Sequence, residues 1–157
     1  MRISVTGHMD INAATAKLVR AELDRLLAGV PDLVGVSCIA RGADSVFADA
    51  VLAAGGKLEV VLPCRGYREA KVKPDHLEQF DRLLGMADTV REMPHEVAGR
   101  AAYEEANAVI VREADRLIAV WDGQPSQRGG TGTVVDLARA AGVVVEVVWP
   151  EGAGRGH

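Results

Sequence analysis

Six short runs rich in Val, Ile and Leu recur along this chain, each separated from the next by a window long enough for a helix. That alternation restricts the fold more than any other feature. The runs cover 2–6, 34–40, 58–63, 89–93, 116–121 and 143–149, with the fourth the weakest. Most are solidly apolar rather than alternating, the pattern of strands covered on both faces. Helical windows lie between them at 13–28, 45–54, 75–86, 99–113 and 133–141. In the first of these, Leu18, Val19, Leu23, Leu26 and Leu27 share one face, with Arg20, Glu22 and Arg25 off it. Gly29, Gly55-Gly56 and Gly142 stand where helices commonly end. Strand alternating with helix predicts right-handed crossovers and a three-layer α/β fold of Rossmann type, with a mostly parallel sheet of about six strands.

The chain has 157 residues, a usual size for one domain. Residues 1–150 are expected to form it, with 151–157 a Gly-rich, flexible tail that lacks apolar anchors. The longest irregular stretch, Arg65–Lys73, reads as a lid or a solvated loop. No leader-like segment opens the sequence and no apolar stretch has the roughly 18 residues needed to span a bilayer, so a cytoplasmic protein without a membrane partner is expected. Cys38 and Cys64 follow apolar runs, and no Cys/His spacing suggests zinc. Neither a metal site nor a cofactor is expected. Helices rich in Ala, Leu and Val leave apolar surface for self-association, so a homodimer is expected.

In an open α/β sheet the ligand sits beyond the carboxyl ends of the strands, where the strand order reverses. Unusual residues cluster in those places: Thr6-Gly7-His8-Met9-Asp10, Ala40-Arg41-Gly42-Ala43-Asp44, Pro63-Cys64-Arg65, and Trp121-Asp122-Gly123 running into Arg128-Gly129-Gly130-Thr131-Gly132-Thr133. The last is the sharpest signal. A glycine-rich turn opening a helix presents bare amides where the helix dipole favours an anion. Thr131 and Thr133 can add hydroxyls, and Asp136 lies about a turn further on, within reach of a sugar. Thr133 and Asp136 also have the spacing of a capping box, but a cap needs no three glycines before it.

The remaining candidates each carry two readings. Gly7 and Gly42 allow either close approach to a ligand or tight strand-to-helix turns, with Asp10, Asn12 or Asp44 capping the helices. Arg41 suits a phosphate or carboxylate, or pairs with Asp44 or Asp122. His8 is a hydrogen-bond donor or general acid, or is structural. Asp122 binds a ribose hydroxyl or caps the next turn. Trp121 and Tyr103 stack on a base or fill the core. His76, His95 and His157 read as surface residues.

Arg128-Gly-Gly-Thr-Gly-Thr-Val-Val-Asp136 is similar to the Pro-Gly-Gly-x-Gly-Thr-x-x-Glu signature of the LOG ("lonely guy") proteins. The preceding Ala114-Asp115-Arg116-Leu117-Ile118-Ala119-Val120 resembles their Ser-Asp-x-x-Ile-Ala-Leu strand. Ala40-Arg41-Gly42-Ala43-Asp44 resembles a turn of the DNA-processing DprA proteins. Together these resemble the SMF/DprA–LOG (SLOG) group of Rossmann-like nucleotide binders. The resemblance implies that Gly129, Gly130, Thr131, Gly132 and Thr133 hold a nucleotide's phosphate. LOG enzymes are phosphoribohydrolases that free the base of a nucleoside 5′-monophosphate, and Asp136 would replace their catalytic glutamate. Two departures weaken the catalytic reading. The carboxylate is one methylene shorter, and the LOG Arg-Lys pair falls on Ala106 and Asn107. Arg41, Arg112 or Arg128 would have to replace it. A nucleotide-like small molecule that is bound rather than cleaved is therefore the leading expectation, with a phosphoribohydrolase second and a DprA-like DNA-processing protein third. DprA proteins bind single-stranded DNA through basic surfaces. With 18 Lys and Arg against 22 Asp and Glu, and a net charge of −4, nucleic acid is not an expected partner here.

Overall fold

The computed structural model describes residues 1–125 and 130–156. Six strands form one sheet: β1 (Arg2–Gly7), β2 (Val34–Ser37), β3 (Lys57–Leu62), β4 (Thr89–Glu92), β5 (Arg116–Val120) and β6 (Val144–Val148). Among the described residues there are six helices: α1 (Ala13–Leu27), α2 (Ala43–Ala53), α3 (Tyr67–Lys71), α4 (Pro74–Met86), α5 (Arg100–Arg112) and α6 (Thr131–Ala140). The strands run in the order β4-β3-β2-β1-β5-β6, every neighbouring pair parallel. The three-layer α/β fold expected from the alternation is present.

Burial explains the strand signals. The inner strands β3 and β5 are buried along nearly their whole length and β1 through its middle, so both faces require apolar side chains. The edge strand β4 leaves three of its four residues exposed, which is why its sequence signal is weak. On one face, Ile3, Val5, Ile118 and Val120 of the sheet pack against Val19, Leu23 and Leu27 of α1 and Phe47 and Val51 of α2. Farther along that face, Leu58, Val60 and Leu62 meet Phe80 and Leu83 of α4. On the other face, Val36, Val61 and Leu117 meet Ala106, Val109 and Ile110 of α5 and Val134 and Ala138 of α6.

Helix starts show where local chemistry overrides periodicity. Asn12 caps α1, its side-chain oxygen accepting from the Thr15 amide at 2.8 Å, so Asn12 and not Asp10 has that role. α2 begins at Ala43 behind Gly42, which places Asp44 in the first turn and not at the cap. The stretch read as lid or loop contains α3.

Residues 151–156, expected to lack anchors, are tied down by polar contacts. The Gly154 amide donates to Thr15 Oγ1 at 2.8 Å, Arg155 forms an antiparallel bridge with Ile11, and the Gly156 amide donates to the Asp10 carbonyl. Backbone groups do this work, so apolar anchors are not needed. No helix among the described residues is long and apolar enough to cross a membrane.

Candidate functional site at the carboxyl edge of the sheet

The strand order reverses between β1 and β5. From β1 the chain turns to the face carrying α1 and α2, and from β5 to the face carrying α5 and α6. The loops after these two strands therefore diverge to opposite faces at their carboxyl ends, the place where open α/β sheets take ligands.

His8 ties the two sides together. It is 6% exposed, and its amide donates to the Val120 carbonyl at 3.1 Å. Its Nε2 lies 3.1 Å from the Asp122 amide nitrogen and 3.2 Å from Asp122 Oδ1. The neutral ring accepts from the amide, and the protonated ring donates to the carboxylate. Trp149 stands edge-on to His8, with ring centroids 5.6 Å apart. Asp122 Oδ1 also accepts from the Gln124 amide at 3.0 Å, so Asp122 caps the turn as one of its two readings required. Burial raises the Asp122 carboxyl, but the Gln124 amide, His8 and Arg155 together outweigh it and leave its pKa lowered.

α6 opens opposite. The helix begins at Thr131, two residues before the predicted start, with Gly130 at its cap. Thr133 is then the third helical residue and Asp136 the sixth, so they do not form the capping box that their spacing allows. Among the described residues no side chain caps this end. Among the described residues, none accepts from the amides of Thr131 or Gly132. Trp121, Gly123, Pro125, Gly132, Thr133 and Asp136 line a cavity of about 240 Å³. Asp136 is exposed. Arg128 and Gly129 lie outside the described residues.

The other predicted site residues are positioned by the protein's own packing. A Cβ on Gly7 would fall 2.4 Å from Ala43 Cβ and 2.8 Å from Val120 Cβ, so this glycine lets α2 and β5 close on the end of β1. Gly42 has φ +78°, and a Cβ there would meet the carbonyl oxygens of His8 and Met9 at 2.7 and 2.6 Å. Arg41 pairs with Asp75 at 2.8 Å, not with Asp44 or Asp122. With Lys71, Lys73 and Tyr67 it borders a separate cavity of about 100 Å³ beyond β2. Asp44 is half-buried. Burial pushes its carboxyl up to about 7 against the hydrogen bond from the Ala40 backbone. The carboxyl edge thus carries two groups of residues: Gly7, His8, Asp122 and the α6 start at the reversal point, and Arg41 and Asp44 at the end of β2.

His76 is a correction to the sequence reading: it is 8% exposed, and its Nε2 lies 3.0 Å from the Ile39 carbonyl oxygen. Ile39 is fully buried at φ +46°, a region β-branched residues avoid. The Ser37 hydroxyl accepts from its amide at 2.9 Å, which helps hold that conformation and ends β2 early. His95 pairs with Glu105. Cys38 and Cys64 are free thiols, and burial pushes the Cys38 thiol well up. Ala106 is buried in the cluster that α5 forms with α6. Among the described residues no three His, Cys, Asp or Glu side chains could together hold a metal ion. A larger cavity, about 340 Å³, lies at the amino ends of β2 and β3, away from all these residues.

Sequence reasoning missed Asp10 and Arg155 as a pair. Arg155 Nε lies 2.9 and 3.2 Å from the two Asp10 carboxylate oxygens, and its guanidinium is 3.8 Å from Asp122. This hydrogen bond leads the causes that lower the Asp10 carboxyl. No local pattern signals it, because the partners are 145 positions apart.

No protein-family model matches the chain, and no curated protein matches it in sequence. Solved structures do share its fold. DNA processing protein A from Streptococcus pneumoniae is 20% identical with a TM-score of 0.71, over 96% of this chain and 50% of that one. The Helicobacter pylori protein of the same name, solved for its unique single-stranded DNA binding mode, is 12% identical with a TM-score of 0.69, over 99% and 68%. The Moco carrier protein of Chlamydomonas rheinhardtii is 17% identical with a TM-score of 0.57, over 93% and 74%. The chain spans about half the length of the Streptococcus pneumoniae protein. The Rossmann-like fold implied by the SLOG resemblance is the fold shared with these structures. The expectation that nucleic acid is not a partner is corrected: two of these structures of the same fold are DNA processing proteins, one described by its single-stranded DNA binding. Net charge is a sum over the whole surface and does not decide what one edge of the sheet can bind.

Proposed function

We propose that the crevice between β1 and β5 binds a nucleotide-derived ligand, its phosphate on the amides that open α6 and its sugar toward Asp136. The observation that carries this reading is the start of α6. Among the described residues nothing accepts from the Thr131 and Gly132 amides and no side chain caps the helix start, and Gly132 borders a cavity also lined by Trp121 and Asp136. A nucleotide's three parts match those features: an anion for the amides, a hydroxylated sugar for the carboxylate, and a flat base for Trp121.

Titration with AMP, CMP, GMP and a short single-stranded oligonucleotide, followed by tryptophan fluorescence and calorimetry, tests the proposal and separates free nucleotides from strand-borne ones. Saturable binding of at least one phosphate-bearing ligand is expected, weakened when Gly132 is replaced by Val. The absence of a response to all of them at millimolar concentration sinks the reading.

A second reading has one specific support, the position of Asp136 on the wall of the same cavity. A carboxylate there can stabilise a cationic sugar or orient water for cleavage of an N-glycosidic bond. Incubation with nucleoside 5′-monophosphates should then release free base in the wild-type protein and far less in Asp136→Asn. Release unaffected by that substitution removes Asp136 from the chemistry.

A further inference from the structure

The smaller cavity beyond β2 differs in character from the crevice. Arg41, Lys71 and Lys73 line it, and among the described residues no carboxylate does. That local excess of cations runs against a chain with 22 acids and 18 bases. Arg41 bonds Asp75 through Nη2, and the pair is exposed, at 43% and 61%, so it exchanges readily. Among the described residues, neither lysine has an ion-pair partner. The interior is apolar, lined by Ile39, Val72 and the ring of Tyr67. That ring lies 6.3 Å from Phe80 between centroids and its hydroxyl is bonded to Tyr103, so the wall is fixed in advance.

One buried polar group opens on this interior. His76 is 8% exposed, and its Nε2 donates to the Ile39 carbonyl, which can only accept. Nδ1 of the neutral ring is then an acceptor. No described residue donates to it, yet no fully buried side-chain nitrogen among the described residues lacks a partner, so Nδ1 reaches accessible space. The cavity that His76 lines is that space. Ile39 supplies the carbonyl that sets this tautomer from a backbone at φ +46°, a strain that persists only where the surroundings hold it. At about 100 Å³ the cavity holds roughly three waters' worth of liquid volume, room for a single ring or short chain.

We infer that this cavity binds a small organic anion. Its carboxylate or phosphate meets Arg41, Lys71 and Lys73, and its apolar body presents an O–H or N–H to His76 Nδ1. The site is independent of the crevice and of any ligand there.

Calorimetric titration of the wild-type protein compares 4-hydroxybenzoate and 4-hydroxyphenyl phosphate, each beside its analogue without the hydroxyl, and phenol. At least one hydroxylated anion should bind saturably, and the two arms show which head group is preferred. Loss of the hydroxyl or of the anion should each weaken binding about tenfold. Lys71→Gln and Lys73→Gln should each weaken it about threefold, while Lys17→Gln, on exposed α1, leaves it unchanged. Nuclear magnetic resonance of the wild-type protein gives a measurement independent of any variant's folding: the His76 ring nitrogens should shift along the same saturation curve, with those of His95 unmoved. No binding of either anion at millimolar concentration, phenol bound as tightly, stationary His76 signals, or equal weakening by Lys17→Gln overturns the assignment. Displacement of the bound anion by a much tighter single-stranded oligonucleotide also overturns it, giving the cations to a polynucleotide. AMP binding reported by Trp121 is read separately, so failure here leaves the crevice reading as it stands.

Discussion

Nε2 of His8 lies 3.1 Å from the amide nitrogen of Asp122, and this bond links the loops that follow β1 and β5. A buried side chain at this position serves two functions. It satisfies an otherwise unpaired amide, and it fixes the distance between the loops that border the crevice. Replacing His8 by Leu keeps bulk and removes the acceptor. Unfolding free energy should fall by about 1–3 kcal/mol, and AMP binding should weaken in parallel. Urea denaturation and calorimetry check the two effects, and a variant as stable as wild type would show that the bond contributes little.

Gly42 and Gly7 differ in why they are glycine, and the cost of adding a methyl group should separate them. At Gly29 φ is +73° with open space around the Cβ position, so Gly29→Ala pays only the left-handed backbone cost, about 1 kcal/mol. At Gly7 the backbone is ordinary but the space is filled, so Gly7→Ala should cost about 1–3 kcal/mol through overpacking. Gly42→Ala combines both penalties and should be the least stable of the three. Urea midpoints on the three variants test the order.

Asp44 should give the stability curve a fall near neutrality. Its carboxyl titrates at about 7 in the folded protein against 3.8 as the ordinary value. Between those values the folded state holds more protons than the unfolded one, so stability declines as pH rises from about 4 to 7 and levels above that. The lowered carboxyls of Asp10 and Asp122 act in the opposite sense and at lower pH, where acidification through their folded values removes stability. Melting temperatures from pH 5 to 8 should therefore drop in wild type and stay nearly flat in Asp44→Asn, wild type losing about 2–3 kcal/mol across that range. Parallel curves for the two proteins would refute the assignment.

The His76–Ile39 contact should matter more than its place in the sequence suggests. His76→Ala removes the ring beside a buried carbonyl on a residue already held at positive φ. A loss of about 1–3 kcal/mol is expected, with faster hydrogen exchange at the Ile39 amide. Exchange unchanged there would mean that Ser37 alone holds the turn.

The architecture was readable because a sheet covered on both faces imposes solid apolar runs, and helices at its sides impose a regular stripe. The opening of α6 was readable in part: the glycine-rich run marks a helix start, which falls at Thr131, two residues before the periodicity places it. Arg41 illustrates what sequence could not supply. Its partner, Asp75, begins another helix 34 positions on, and only the fold brings them together. His76 was misread because a lone histidine on an otherwise polar helix turn gives no sign that the end of β2 lies above it. Asp10 and Arg155 sit near opposite ends of the chain, and their pairing depends on how 151–156 folds back.

An all-parallel sheet sends every strand's end to the same side. Substitutions in any loop after a strand therefore fall on one rim, while those before a strand fall on the opposite rim, where Asp32, Gly55 and Lys57 border a hollow of their own. A fluorophore or surface tether fixed at Asp32 would stand a full strand length from the crevice. It offers a place to immobilise the molecule while leaving its recognition untouched.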